Sequence, residues 1–490
     1  MMTAFRTRLR HASLALLSAG SLLALGATAV QAQDAFASID RTTAGSVSFA
    51  AANTSGGIEA GGTVNVTGRG FTAGQQVELT YGLTPLTTAP LVADAEGNIT
   101  GTLTVPANAV PGNFPVGVLV RDPYYFAITQ LKVSPTVPLT GAENYALTQA
   151  EVARGQYQSA YSADDNMLFV TASVGRPPIR DSELLKLDGT TLAVVARITP
   201  PEAPAPARAP GAGGPGAGGP GGAPAETDTR PPVYGVYGIG LDETKQTIWV
   251  TNTRQNTVAV FNQSDLSLVK QFPDGMVEHS RDVQVDGELG RAFASAGVTP
   301  NVEVFDTNTL EKIATIAITS SVRGEEFGAM SLSLDRQMHR LYVAGFSTGE
   351  VAVIDTRTNA VLNVFPVPGA EGLIGVSHDP VTNRIYASAQ VSDSVFIIDG
   401  ESGALIRQVP VGAGTHNVAV DVEARRIYAE SRIAGTITVL DMDGNILANL
   451  GDMPRVNHIE LGENGVIYAV DKSVGVTQAA TDVIYRIDPR

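Results

Sequence analysis

One phrase recurs along this chain and constrains its fold more than any other feature. "RIYASAQVSDSVFIID", from Arg384, is rewritten as "RIYAESRIAGTITVLD" from Arg426. The unit is an aromatic in a β-rich tetrad, a turn, and an alternating strand that usually ends in Asp. Its aromatic position falls at Phe169, Trp249, Phe293, Tyr342, Tyr386, Tyr428 and Tyr468, with spacings of 80, 44, 49, 44, 42 and 40 residues. One such unit exposes two apolar faces, and stacking neighbours buries them. The long spacing contains Pro200–Pro232, almost all Pro, Gly and Ala, and without those 33 residues it falls to 47. Such a segment buries too little apolar surface to offset its ordering entropy, so a disordered insertion is expected at 200–232.

Each unit reads as four strands. The inner strand is typified by Asn417–Asp421, the second carries the aromatic, the third precedes the Asp, and the outer resembles Val361–Val364. Asp306, Asp355, Asp399 and Asp441 stand where a carboxylate can accept backbone N–H groups of the next turn. Asp441-x-Asp443-Gly444-Asn445 shares part of a calcium-loop pattern, but the sister turns lack the second acid, so it is read as a turn. The last unit ends at "VIYRIDPR" with no outer strand. A bare edge invites aggregation, so Tyr145–Val152 is expected to cover it.

The phrases "RIYASAQVSDSVFIID", "RLYVAGFSTGEVAVID" and "TIWVTNTRQNTVAVF" resemble the YVTN-type repeats of YncE-like seven-bladed β-propellers. That resemblance implies an all-β fold, with a propeller over residues 140–490. The fold hosts enzymes, binders and scaffolds alike. Residues 38–136 differ in texture: short alternating runs punctuated by Gly, with Glu96-Gly97-Asn98 as a hairpin turn. They are expected to form a small β-sandwich, and they resemble the Ig-like modules of bacterial exported proteins. Such a module implies a spacer or second contact. Arg121–Phe126 is expected to pack against the propeller.

Residues 1–32 read as a cleavable signal peptide: Arg6, Arg8 and Arg10, an apolar run, then Val30-Gln31-Ala32. The expected location is therefore periplasmic or secreted. No later apolar run has spanning length, so no membrane span is expected after cleavage. The chain has no Cys, which excludes disulfides, a lipobox and thiolate chemistry. Formal charge is −16, and about −19 without the signal's three Arg, which disfavours nucleic acid as a partner.

A propeller's channel mouth is lined by the links into its inner strands, and here these are polar. They supply Tyr237, His279, Arg281, Glu326, His416, Asn417, Asn457 and His458 as candidate ligand-binding residues for an unknown small molecule or protein partner. Replacing His416 and Asn417 by Ala is expected to remove binding and spare stability. His279, His416 and His458 would suit zinc or copper, but they fall on the third, sixth and seventh units, so no metal or cofactor is assigned. The one Gly-x-Ser-x-Gly match, Gly345–Gly349, falls in the turn between two strands of a repeat unit and not between a strand and a helix, so it is not read as a nucleophile elbow, and no catalytic residue is assigned. The favoured function is a non-catalytic binding scaffold. One alternative is a hydrolase or lyase of the propeller lactonase kind, for which Glu326, Asn417 and Asn457 could be enlisted. Another is a rim of Arg291, Arg340, Arg384 and Arg426 that meets an anionic polymer such as single-stranded DNA; capping of turns is the preferred reading of that rim.

Overall fold

A computed structural model describes residues 45–53, 56–120, 124–204, 229–473 and 481–490. The signal segment and residues 205–228 of the insertion lie outside the described residues. The chain is all-β, and the one helical element among the described residues is a single 3-10 turn at Ala142–Asn144. No helix among those residues is long and apolar enough to cross a membrane.

From Gln156 onward the strands form seven four-stranded antiparallel sheets. Their inner strands are Gln156–Ser162, Ile239–Asp242, Ser280–Asp286, Ala329–Asp335, Leu373–Asp379, Thr415–Asp421 and Val456–Leu461, called here sheets one to seven. Each inner strand touches that of the next sheet, and the first touches the seventh, so the sheets close into a ring.

The repeated aromatic makes this closure possible. Phe169, Trp249, Phe293, Tyr342, Tyr386, Tyr428 and Tyr468 are all buried. Each enters the apolar cluster between its own sheet and the next, and Tyr468 enters the one joining sheets seven and one. Two of the tyrosines also use their polar ends. Tyr468 Oη donates to the Gly189 carbonyl at 2.8 Å and Tyr386 Oη to the Met442 carbonyl at 3.0 Å, both on the following sheet. Burying each such ring is worth about 1.5–3 kcal/mol, and the hydroxyls are satisfied where they enter.

The seventh sheet takes its outer strand from ahead of the first. Tyr145–Ala153 pairs antiparallel with Asp482–Pro489, with Gln149 opposite Tyr485 and Tyr145 opposite Pro489. The expected cover for the last edge is thus present.

Residues 46–133 form two antiparallel sheets, one of three strands and one of five, around a core that includes Val64, Val66, Val77, Leu79, Val116 and Val118. Asp94 shapes the predicted hairpin turn, with its carboxylate accepting the N–H groups of Glu96 and Asn98. This unit meets the ring through Lys132, which ion-pairs with Asp393 at 2.5 Å, and Asn113, which donates to Glu371 at 2.8 Å. The aromatic cluster departs from its expected role. Tyr124 and Phe126 are exposed, Tyr125 packs on the unit's own core, and Arg121–Pro123 lie outside the described residues. The charged pair Lys132–Asp393 makes the contact that the aromatics were expected to make.

Candidate functional site

Every inner strand follows one pattern. In six of the seven sheets its pairing with the second strand is irregular near its start, as between Ser280 and Val283 or Thr415 and Val418. A bulge there re-aims side chains. The second residue of each strand, or its equivalent before the shorter strand of sheet two, is Tyr157, Tyr237, Arg281, Met330, Ile374, His416 or Asn457.

Three of these residues meet at Tyr157, with Lys472 beside them. Tyr237 meets its ring edge-on at 5.1 Å, the Arg281 guanidinium lies 4.9 Å from the ring centre, and Lys472 Nζ lies 4.5 Å from it. Asn457 Nδ2 donates to the Tyr157 carbonyl at 2.7 Å. Tyr157, Lys472 and the nearby Arg254 and Arg432 escaped the sequence-level reading, whereas Arg455 stands in the mouth link Arg455–His458 that supplied Asn457 and His458. Aligning the inner strands residue by residue would have found Tyr157, which is the equivalent of Arg281 and His416.

The other predicted residues divide in two. Asn417 and His458 are third residues of their strands, and they hold the next sheet. Asn417 Oδ1 accepts the Ile459 N–H at 3.3 Å, and His458 Nδ1 accepts the Ser159 N–H at 3.3 Å. Gln158 and Asp282, at the same strand position, likewise accept the N–H groups of Ile239 and Leu332. His279 is half-buried at the start of sheet three, close enough to Arg254 and Arg281 to feel their charges. Glu326 is exposed on the link into sheet four, and no hydrogen bond among the described residues joins it to the group. The double replacement of His416 and Asn417 therefore cannot spare stability, because Asn417 bridges sheets six and seven.

Electrostatics at this end of the ring are unusual. His416 Nδ1 lies 3.0 Å from Glu430 Oε1, and both are buried. Burial, with the Arg281 and Arg432 charges, holds the imidazole well below its ordinary range. Burial pushes the Glu430 carboxyl up to about 8 against the pull of the same two arginines. Both shifts favour the uncharged forms of the two groups. Burial and the Arg432 charge lower Lys472 to about 7.

Beyond Tyr157 the inner strands enclose a polar cavity of about 510 Å³, lined among others by Asp282, Gln284, Ser333, His378, Asn417 and Glu460. It reaches Arg336, Gln337, Pro380 and Val422, in the turns that end the inner strands. Burial pushes Glu460 up to about 8, with Asp282 adding to the rise.

The arginine rim sits on those same turns and is engaged in capping. Arg340 pairs with Asp355 at 2.9 Å and Arg384 with Asp443 at 2.8 Å. Arg291 donates to the carbonyls of Thr356 and Arg357, and Arg426 to those of Ala424 and Arg425. Asp441 is likewise occupied: it accepts the N–H groups of Asp443 and Asn445 and the Asn445 amide.

A closed ring of four-stranded antiparallel sheets around a polar channel defines the class: this is a β-propeller. Comparison with known proteins agrees. The chain is 22% identical over 276 residues to uncharacterized protein YncE of Salmonella typhi, covering 54% of this chain and 67% of that protein. It is 23% identical over 270 residues to YncE of Escherichia coli K12, covering 53% and 65% respectively. Among solved structures it is similar to hydrazine synthase of Kuenenia stuttgartiensis, with a TM-score of 0.52 at 14% identity over 67% of this chain and 96% of that one. It is also similar to a streptogramin B lyase, with a TM-score of 0.52 at 12% identity over 71% and 99%. No family model matches the chain.

Proposed function

We propose that the chain is an exported seven-bladed propeller, carrying an Ig-like sandwich at its front, that binds a ligand at the channel mouth around Tyr157. Reading each of the seven sheets as a blade, links far apart in sequence share this one opening. The observation that carries the proposal is the convergence of Tyr237, Arg281 and Lys472 on the Tyr157 ring, with Asn457 bonded to the Tyr157 carbonyl, so that four sheets meet at one residue. Structural duties account for Asn417 and His458, but Arg281 Nη1 is buried with no hydrogen-bond partner. Polar groups converging on a concave end are the ordinary signature of a binding site. The absence of any acid–base–nucleophile set in the sequence favours binding over the lactonase-like alternative.

Native mass spectrometry of protein purified from its exported location tests this reading, alongside the Tyr157→Ala variant. A small molecule retained by the wild type and lost from the variant is the expected result. Retention by both places the ligand elsewhere and overturns the assignment. A stoichiometric divalent ion in the same spectra would favour the enzyme.

A further inference from the structure

We propose that the mouth around Tyr157 is built for a compact oxyanion with two or more negative charges, a phosphate or a polycarboxylate. The proposal rests on the reading of the mouth as a ligand site and names the chemistry of the ligand. Arg254, Arg281, Arg432, Arg455 and Lys472 lie close enough together to perturb one another: Lys472 feels Arg432, Arg281 and Arg254, and Arg432 feels Arg455 and Arg281. Four arginines, with a lysine that burial and neighbouring arginine charges lower to about 7, are unexpected in one place in a chain of formal charge −16.

Several cations elsewhere in the chain have a carboxylate partner. Lys132 pairs with Asp393, Arg340 with Asp355, Arg425 with Asp379 and Arg486 with Asp488. Among the described residues, none of the five mouth cations lies within ion-pairing distance of a carboxylate. Burial favours the uncharged form of the neighbouring acid Glu430, whose Oε1 lies 3.0 Å from His416 Nδ1. Asp482 is the other nearby acid; its oxygens accept the N–H groups of Gly155, Gln156 and Ser473, and its charge offsets part of the pull of the arginines on Lys472.

Like charges that outnumber the nearby carboxylates raise the energy of the empty site, and an anion relieves it. Arg281 carries the independent signal. Its residue is 5% exposed, yet Nη1 has no partner. Buried guanidinium N–H groups are ordinarily satisfied, and their planar fork matches carboxylate and phosphate oxygens.

Calorimetric titration of the full mature chain with sodium phosphate and with sodium citrate, at constant ionic strength in chloride, is the test. Arg254→Gln, at an exposed position, and Arg432→Gln each remove one mouth charge. Arg357→Gln, on an exposed turn away from the mouth, controls for the change in net charge. Saturable one-to-one binding of at least one anion, weakened tenfold or more in both mouth variants and unchanged in the control, is expected. No saturable binding of either anion, or equal affinity in mouth and control variants, overturns the proposal. If a neutral or cationic compound still binds in a Tyr157-dependent way, only the oxyanion class falls and the mouth remains the site.

Discussion

Glu460 shows how a single residue can tie the fold to pH. Its Oε1 accepts the Tyr161 N–H at 3.1 Å, which links sheets seven and one, and Asp282 and Arg336 are the charged groups that face it. The carboxyl ionises near 4.5 in an unfolded chain and near 8 in the fold. Its neutral form is therefore the one the fold prefers: full stability is present below about pH 4.5 and is lost as pH rises towards 8. Glu460→Gln keeps the acceptor and cannot ionise. Urea unfolding should find the variant close to wild type at pH 4.5. At pH 8.5 it should be more stable by about 1 kcal/mol, a value held down because channel water solvates part of the charge. Equal stability at both pH values would mean that the channel solvates Glu460 fully. Asn417→Ala gives a second test, since it leaves the Ile459 N–H without its acceptor and should cost about 1–2 kcal/mol in the same assay. At this scale the sequence was only half legible. His416, Asn417 and His458 were chosen because they are polar and near a mouth. Polarity alone does not tell a residue that staples the neighbouring strand from one that faces a ligand. The difference lies in the strand position, the second residue or the third, which becomes readable only when all seven inner strands are set in register.

At the scale of the element the sequence was far more transparent, because strand alternation and turn chemistry are local. The Asp residues picked out at the ends of third strands do what their position implied. Asp306 accepts the N–H groups of Asn308 and Thr309, both at 2.8 Å, and Asp399 those of Glu401 and Ser402. These bonds hold both carboxyls below their ordinary range. Replacing either by Ala should destabilise the fold, read as a lower urea midpoint at unchanged slope. The two sites are in sheets three and five and share no partner, so the double variant should lose the sum. A loss well beyond the sum would reveal coupling of the two turns through the ring. The irregular start of six of the seven inner strands was not legible. It turns on which backbone pairs are skipped, and neither hydrophobicity nor turn residues encode that. The mouth's geometry depends on this irregularity, which is why Tyr157 escaped a reading that found the strand holding it.

For the whole molecule, everything hangs on how the ring is fastened. Seven apolar clusters join successive sheets, but the seventh sheet is completed only by Tyr145–Ala153, contributed from before the first. Closure was legible because the last unit lacks an outer strand and the chain must hide that edge somewhere. The joint is also a point of attack. Along an antiparallel pair, opposed residues alternate between those that exchange hydrogen bonds and those that do not. Thr148 faces Arg486 and Gln149 faces Tyr485, so one of these two neighbours bonds to the last strand and the other turns its N–H outward. Proline at the bonded position removes a ladder bond and should cost about 2–3 kcal/mol, while proline at its neighbour should cost under about 1 kcal/mol. Thr148→Pro and Gln149→Pro, compared by thermal unfolding, should therefore differ sharply although they are adjacent and exposed. If the joint fastens the ring, the damaging variant should also expose the cluster around Leu168, Tyr468 and Ile484, and amide exchange should quicken in sheets one and seven before sheets three and four. Uniform exchange across all seven sheets, or equal effects of the two prolines, would show that the ring holds without this clasp.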